Sequence, residues 1–181
     1  ASGDRAFSAG ADVRALDEHA RAGQTSGLGD LLIDSEMVTD KPIIAAIQGY
    51  CVGEGVNLAL ACDLIFADAD ASFMISEVRI GVNPVDIPIK LARRLGYAKA
   101  FAFLAPGDGK SAVWLASAGL VEEVCAPGTV RGEALAFARR LSSECAPLAL
   151  RAQKETLFQA AFVSDSAAKV SGEADRKSTR L

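Results

Sequence analysis

Two stretches of small residues carry the chemistry that this chain offers: Phe7–Asp12 (FSAGAD) and, within Ile44–Asp63 (IAAIQGYCVGEGVNLALACD), the segment Gly49–Gly55. Each reads as a turn that leaves backbone N–H groups bare, and the second runs directly into a helix. Two such turns can point two main-chain donors at one oxygen. That arrangement stabilises an enolate or a tetrahedral oxyanion without any side chain.

The elements that must position these turns follow from periodicity and punctuation. Ile43–Ile47 is a continuous apolar run and predicts a buried strand. Gly49–Gly55 is then a turn, and Gly55–Cys62 a nearly all-apolar, buried helix. Asp63–Ala67 and Ser72–Ile75 are strand-like, joined by Asp68–Ala71, and Gly81–Pro84 is a loop. Asp86–Leu95 reads as an amphipathic helix with Pro88 tolerated in its first turn. Further helices are expected over Ala98–Leu104, Ser111–Ala118, Gly132–Cys145 and Pro147–Phe162, with Gly119–Val124 as a turn and short strand. Val163–Ala174 is weakly helical. Upstream, Ala11–Arg21 and Leu28–Thr39 have helical patterns around a Gly23–Gly29 loop. Strands, turns and helices alternate without a repeat or interdomain linker, which predicts an α/β domain with parallel pairing.

The two turns and the segments after them resemble the signature segments of the enoyl-CoA hydratase/isomerase (crotonase) family. On that resemblance the N–H of Ala11 is one oxyanion donor and the N–H of Glu54 the other. The backbone from Ala9 through Ala11 to Asp12 lines the adenine side of the coenzyme, and Gly53 also belongs to the coenzyme-binding set. The family usually shows three glycines and then, two places on, an acidic residue; here the run is Gly53-Glu54-Gly55-Val56-Asn57. Asn57 therefore stands at one of the two acid/base positions of the family's hydratases. Its amide can orient a water but takes no proton. Glu77 stands at the other position and is the group expected to act as general base or acid. The Glu54 side chain is an oddity. A carboxylate about 4 Å from an enolate costs about 1–4 kcal/mol at effective dielectrics of 80 to 20. It is expected to point away or pair with a cation, with a role as acid/base the alternative. The next family stretch is glycine-rich, whereas here it reads Pro84-Val85-Asp86-Ile87-Pro88-Ile89-Lys90. Asp86 is expected as a helix N-cap, with an extra acid/base group as the alternative. GYAKAFAFL and SAVWLASAGLVEEV, farther on, again resemble the family.

The resemblance implies a crotonase-like spiral of repeated strand–strand–helix units with C-terminal helices. The implied substrate is an acyl-CoA thioester, with coenzyme A part of the substrate and no permanently bound cofactor. The implied reaction is hydration or double-bond isomerisation of an enoyl-CoA driven by a single glutamate, as a lyase or isomerase. Loss of the paired carboxylate at Asn57 shifts weight toward isomerisation. A member that binds acyl-CoA without turnover is the alternative. The family's usual assembly implies a homotrimer or hexamer.

Composition agrees with a single domain that has a core. The chain has 181 residues, half of them hydrophobic, a formal net charge of −4 and a pI near 5.1, so no basic face for nucleic acid is expected. The apolar runs are short, so no membrane span is expected. Cys51, Cys62, Cys125 and Cys145 form no CxxC pair and His19 is distant, which argues against a metal site and for reduced thiols in a cytoplasmic protein. Leu104–Ser111 (LAPGDGKS) imitates a phosphate loop, but Leu104 stands in place of its first glycine. Ser8 lies in no nucleophile-elbow pattern. Trp114 reads as core. The opening ASGDRAF reads as a turn that needs a strand before it, and DRKSTRL at Asp175–Leu181 resembles translated sequencing-adapter DNA. Residues 1–174 are therefore expected to be a crotonase-like domain incomplete at both ends, and 175–181 a non-native tail.

Overall fold

The structure, a computed structural model, describes Gly3, residues 5–11 and residues 39–163. The helices expected between residues 12 and 38, the loop between them, Asp12, His19 and the chain beyond residue 163 lie outside the described residues.

Among the described residues seven strands form two sheets. β1 (Ala6–Ser8), β3 (Tyr50–Val52), β5 (Ser72–Met74) and β6 (Lys110–Ser111) lie side by side in that order. β2 (Ile44–Ile47), β4 (Leu64–Asp68) and β7 (Glu123–Cys125) make the second sheet. Every pairing is parallel except that of β5 with β6. The unbroken apolar run of β2 has a direct cause. Ala45 and Ile47 enter the main core, while Ile44 and Ala46 pack against Phe66, Cys125, Val130 and Ala134 on the other side. A strand covered on both faces has no use for polar alternation.

The helices among the described residues are α1 (Glu54–Leu60), α2 (Asp86–Leu95), α3 (Tyr97–Leu104), α4 (Ala112–Ala118), α5 (Val130–Glu144) and α6 (Pro147–Phe158), the last running into a π-helical turn, Gln159–Val163. Local chemistry sets several ends. The Ser111 hydroxyl accepts the Trp114 N–H at 3.1 Å and caps α4, and Gly119 closes it in a left-handed conformation. Pro147 opens α6. Phe73, Phe103, Leu91 and Leu115 are fully buried in the main core. Trp114 is partly buried and packs against it, as expected.

Two local expectations fail. Gly49–Gly55 is not one turn, because Tyr50–Val52 is a strand and only the flanking glycines turn. Tyr50 faces out and Cys51 is fully buried, the alternation of a strand with one covered face. Gly49 adopts φ +59° and a Cβ there would lie 2.1 Å from the Arg5 carbonyl oxygen, so only glycine lets these two backbones meet. Asp86 is not an N-cap; Val85 holds that position, no side chain caps the helix, and Asp86 is its first residue. Helical geometry at Val85 (φ −46°, ψ −42°) leaves no extended cap residue to precede Asp86.

Candidate functional site

β1, β3 and β5 are parallel neighbours, with Ser8 opposite Cys51, Cys51 opposite Phe73 and Val52 opposite Met74. Their carboxyl ends therefore open on one edge of the sheet, the edge where α/β folds bind ligands. Three segments leave there: Ala9–Ala11, Gly53–Glu54 and Ile75–Glu77. They converge on Gly53. A Cβ on Gly10 (φ +90°) would lie 3.1 Å from the Val52 carbonyl oxygen and 3.8 Å from the Glu54 nitrogen. A Cβ on Gly53 (φ +50°) would lie 2.7 Å from Glu77 Oε1 and 4.0 Å from the Gly10 Cα. The sequence-predicted residues Ala9, Ala11, Gly53, Glu54 and Glu77 thus share one small region, and Ala11 is half-buried within it.

The hydrogen bonds around Gly53 leave donors over. Its own N–H goes to the Met74 carbonyl at 2.8 Å, and its carbonyl accepts the N–H groups of Val56 and Asn57 at 2.9 and 3.2 Å. Among the described residues no hydrogen bond takes up the N–H of Ala11 or of Glu54. First-turn N–H groups lack intrahelical acceptors by construction.

Glu77 begins a 3-10 turn, Glu77–Ile80, closed by left-handed Gly81. Its Oε2 is buried without a hydrogen-bond partner. Buried polar atoms are nearly always paired, so this carboxylate oxygen is an exception. The turn is held from outside. Arg79 donates from Nε and Nη2 to the Pro106 carbonyl, both at 3.3 Å, and pairs with Asp108. A Cβ on Gly107 (φ +64°) would lie 3.0–3.1 Å from Val78 and Arg79 side-chain atoms. The phosphate-loop imitation at Leu104–Ser111 is thus a brace for the Glu77 turn, and Lys110 sits 5.4 Å from the centre of the Trp114 ring. Sequence reasoning missed this brace; its signal was the Pro106-Gly107-Asp108 turn itself.

α1 is apolar except for Glu54 and Asn57, three residues apart and hence on one face. They bond each other: Asn57 Nδ2 donates to Glu54 Oε1 at 2.8 Å. Lys90 of α2 donates to Asn57 Oδ1 at 2.6 Å. Among the described residues Glu54 thus meets an amide that a cation holds, rather than a cation directly. Asn57 is 9 % exposed with both ends of its amide engaged. It retains one N–H and one lone pair for any water.

Other chemistries find little support here. Burial pushes the Cys51 thiol up to about 12, so it stays protonated at neutral pH. Among the described residues no three His, Cys, Asp or Glu side chains gather as a metal site. No helix among them is long and apolar enough to cross a membrane. Ser8 Oγ accepts the Gly10 N–H at 3.3 Å and so shapes the first turn.

Known proteins share this arrangement of segments. A family model described as enoyl-CoA hydratase/isomerase matches residues 1–178. The chain is 34% identical over 153 residues to a mitochondrial enoyl-CoA hydratase of Pongo abelii, covering 84% of this chain and 53% of that protein. It is 32% identical over 161 residues to a 2,3-dehydroadipyl-CoA hydratase of Escherichia coli, covering 88% of this chain and 63% of the relative. The crystal structure of an enoyl-CoA hydratase from Polaromonas sp. JS666 superposes with a TM-score of 0.85 at 33% identity, covering 98% of this chain and 70% of that one. The chain thus spans between half and two thirds of the length of these two curated relatives.

Proposed function

Because the chain belongs to the enoyl-CoA hydratase/isomerase family and has its crotonase fold, we propose that it acts on an acyl-CoA thioester, holding the carbonyl oxygen at the N–H groups of Ala11 and Glu54 and moving a proton with Glu77. The observation that carries this reading is the buried, unpartnered Oε2 of Glu77, on a carboxylate whose other oxygen would lie 2.7 Å from a Cβ on Gly53. A base must reach the carbon next to the carbonyl it helps to enolise, and this one sits beside the turn that carries a proposed donor. Each donor to a developing oxyanion is worth about 3–4 kcal/mol in the transition state.

The proposed sequence is short. Glu77 removes a proton from the acyl chain, the enolate oxygen is held by the two amides, and the proton returns at carbon 2 or carbon 4. One carboxylate suffices for that isomerisation. Hydration by a two-carboxylate route needs a second group at position 57, where an amide stands. Coenzyme A enters as part of the substrate, along the backbone of Ala9, Ala11, Asp12 and Gly53, and the family's assembly extends the proposal to a homotrimer or hexamer. The names of the relatives, several of them hydratases of enoyl-CoA or of carboxylated acyl-CoA thioesters, keep hydration as the second outcome of the test. That test is incubation with 2-enoyl- and 3-enoyl-CoA in deuterated water, read by mass and ultraviolet absorbance. Isomerisation interconverts the two with deuterium uptake, and hydration adds water and removes the conjugated band. Coenzyme binding without either result would identify a binding protein instead.

Gly53 offers a sharper check. Gly53→Ala puts a methyl into the Glu77 carboxylate and an L residue at φ +50°. Such backbone strain costs about 1–3 kcal/mol, a Tm loss of roughly 5 °C for a chain of this size. The displaced atom is the tip of a flexible side chain, so the fold survives and the base moves. Deuterium exchange is expected to fall by more than about tenfold while melting stays cooperative.

A further inference from the structure

Resting on that reading, we propose that Lys90 is a positioning residue that works through Asn57 to hold the Glu54 carboxylate and keep it from weakening the oxyanion site. The reasoning starts from a conflict within one residue. Glu54 offers a main-chain N–H to a developing negative charge and carries a negative side chain of its own. A loose carboxylate there opposes the charge that the N–H is meant to stabilise. Its Oε1 instead accepts from Asn57 Nδ2 at 2.8 Å.

An asparagine amide presents either an oxygen or an NH2 group to a neighbour, and only the NH2 group suits a carboxylate. Lys90 settles which. An ammonium is a donor with no acceptor, so the atom 2.6 Å from its Nζ must be the amide oxygen. The nitrogen is then turned toward Glu54. The same contact aligns the amide dipole between a cation and an anion, so the Lys90 charge acts on Glu54 across one side chain. The bonds are partly buried, which limits screening by salt. α2 secures the donor, since Ile87 and Leu91 on either side of Lys90 are buried in the core. The pairing also links three departures from the family's pattern: a charge at 54 is accompanied by an amide at 57 and a cation at 90.

The test uses a conjugated aryl-enoyl-CoA, whose ultraviolet band moves to longer wavelength when hydrogen-bond donors polarise its carbonyl. The band, and separately the rate of deuterium exchange on a 3-enoyl-CoA, are measured for the unaltered protein, Lys90→Met, Lys90→Arg, and Lys90→Met combined with Glu54→Gln. Lys90→Met is expected to slow exchange roughly tenfold, mainly through kcat, and to shrink the band shift. Lys90→Arg should retain most of both. Removing the charge with Glu54→Gln in the Lys90→Met background should restore the band shift and most of the rate. A Lys90→Met protein with an unchanged band, or a loss that Glu54→Gln does not recover, overturns the proposal. An unaltered protein that shifts the band of no enoyl-CoA and exchanges no proton overturns the oxyanion reading itself, and this inference with it.

Discussion

Replacing Glu77 with Gln is expected to slow deuterium exchange at the acyl carbon by roughly 10²–10⁴-fold, the usual contribution of a positioned acid or base. Coenzyme binding should stay within a few-fold, because Gln fills the same space and the backbone of the turn is untouched. Stability gives the second half of the signature. Glu77 Oε2 is buried without a partner, and a neutral amide is cheaper to keep out of water than an unpaired carboxylate. Glu77→Gln should therefore melt at the same temperature as the parent or higher. Loss of chemistry together with a gain in stability distinguishes a working base from a structural one. The turn does not depend on that carboxylate, since Arg79 anchors it to Pro106 and Asp108. Unchanged exchange in the variant would exclude Glu77 as the base.

The second large effect lies at position 57. Restoring a carboxylate there should raise hydration of crotonyl-CoA, but the surroundings decide how. Asn57→Glu alone removes the N–H that Glu54 accepts from and places two carboxylates three residues apart on one helix face. Little hydration is expected from that single change. Asn57→Glu with Glu54→Gly removes the repulsion and leaves the new carboxylate beside Lys90, which now contacts that position at 2.6 Å. The double variant is expected to hydrate crotonyl-CoA roughly 10–100-fold faster than the parent, followed as loss of the conjugated absorbance. No gain in the double variant would count against position 57 as the second acid/base position.

Much of the frame was legible in the sequence because it rests on local signals. The apolar run at Ile44–Ile47, the turn between the strands ending at Asp68 and starting at Ser72, and Pro147 at a helix start each announce themselves within a few residues. β3 was hidden by its own glycines. Gly49 and Gly53 both turn, so the three residues between them read as part of one loop, although Tyr-Cys-Val is ordinary strand composition. Asp86 misled because an acidic residue before an amphipathic segment fits a cap and a first turn equally well. The Glu54–Asn57 bond was within reach, since a spacing of three in a helix brings side chains together. Lys90 was not. It stands 33 residues from Asn57 in sequence, and only the packing of α2 beside α1 joins them. The same holds for the Arg79 brace, whose partners come from the loop after α3.

The second sheet has a kinetic corollary. β4 pairs with β2 soon after it is made, but its other edge waits for β7, with Phe66 meeting Glu123 and Asp68 meeting Cys125. Parallel contacts between such distant residues close late, because the intervening loop entropy must be overcome first. A nascent chain that has reached β4 but not β7 displays an open row of backbone donors and acceptors flanked by Ile65 and Phe66. Until residue 125 emerges, that interval is when another copy, rather than its own β7, can find the vacant edge.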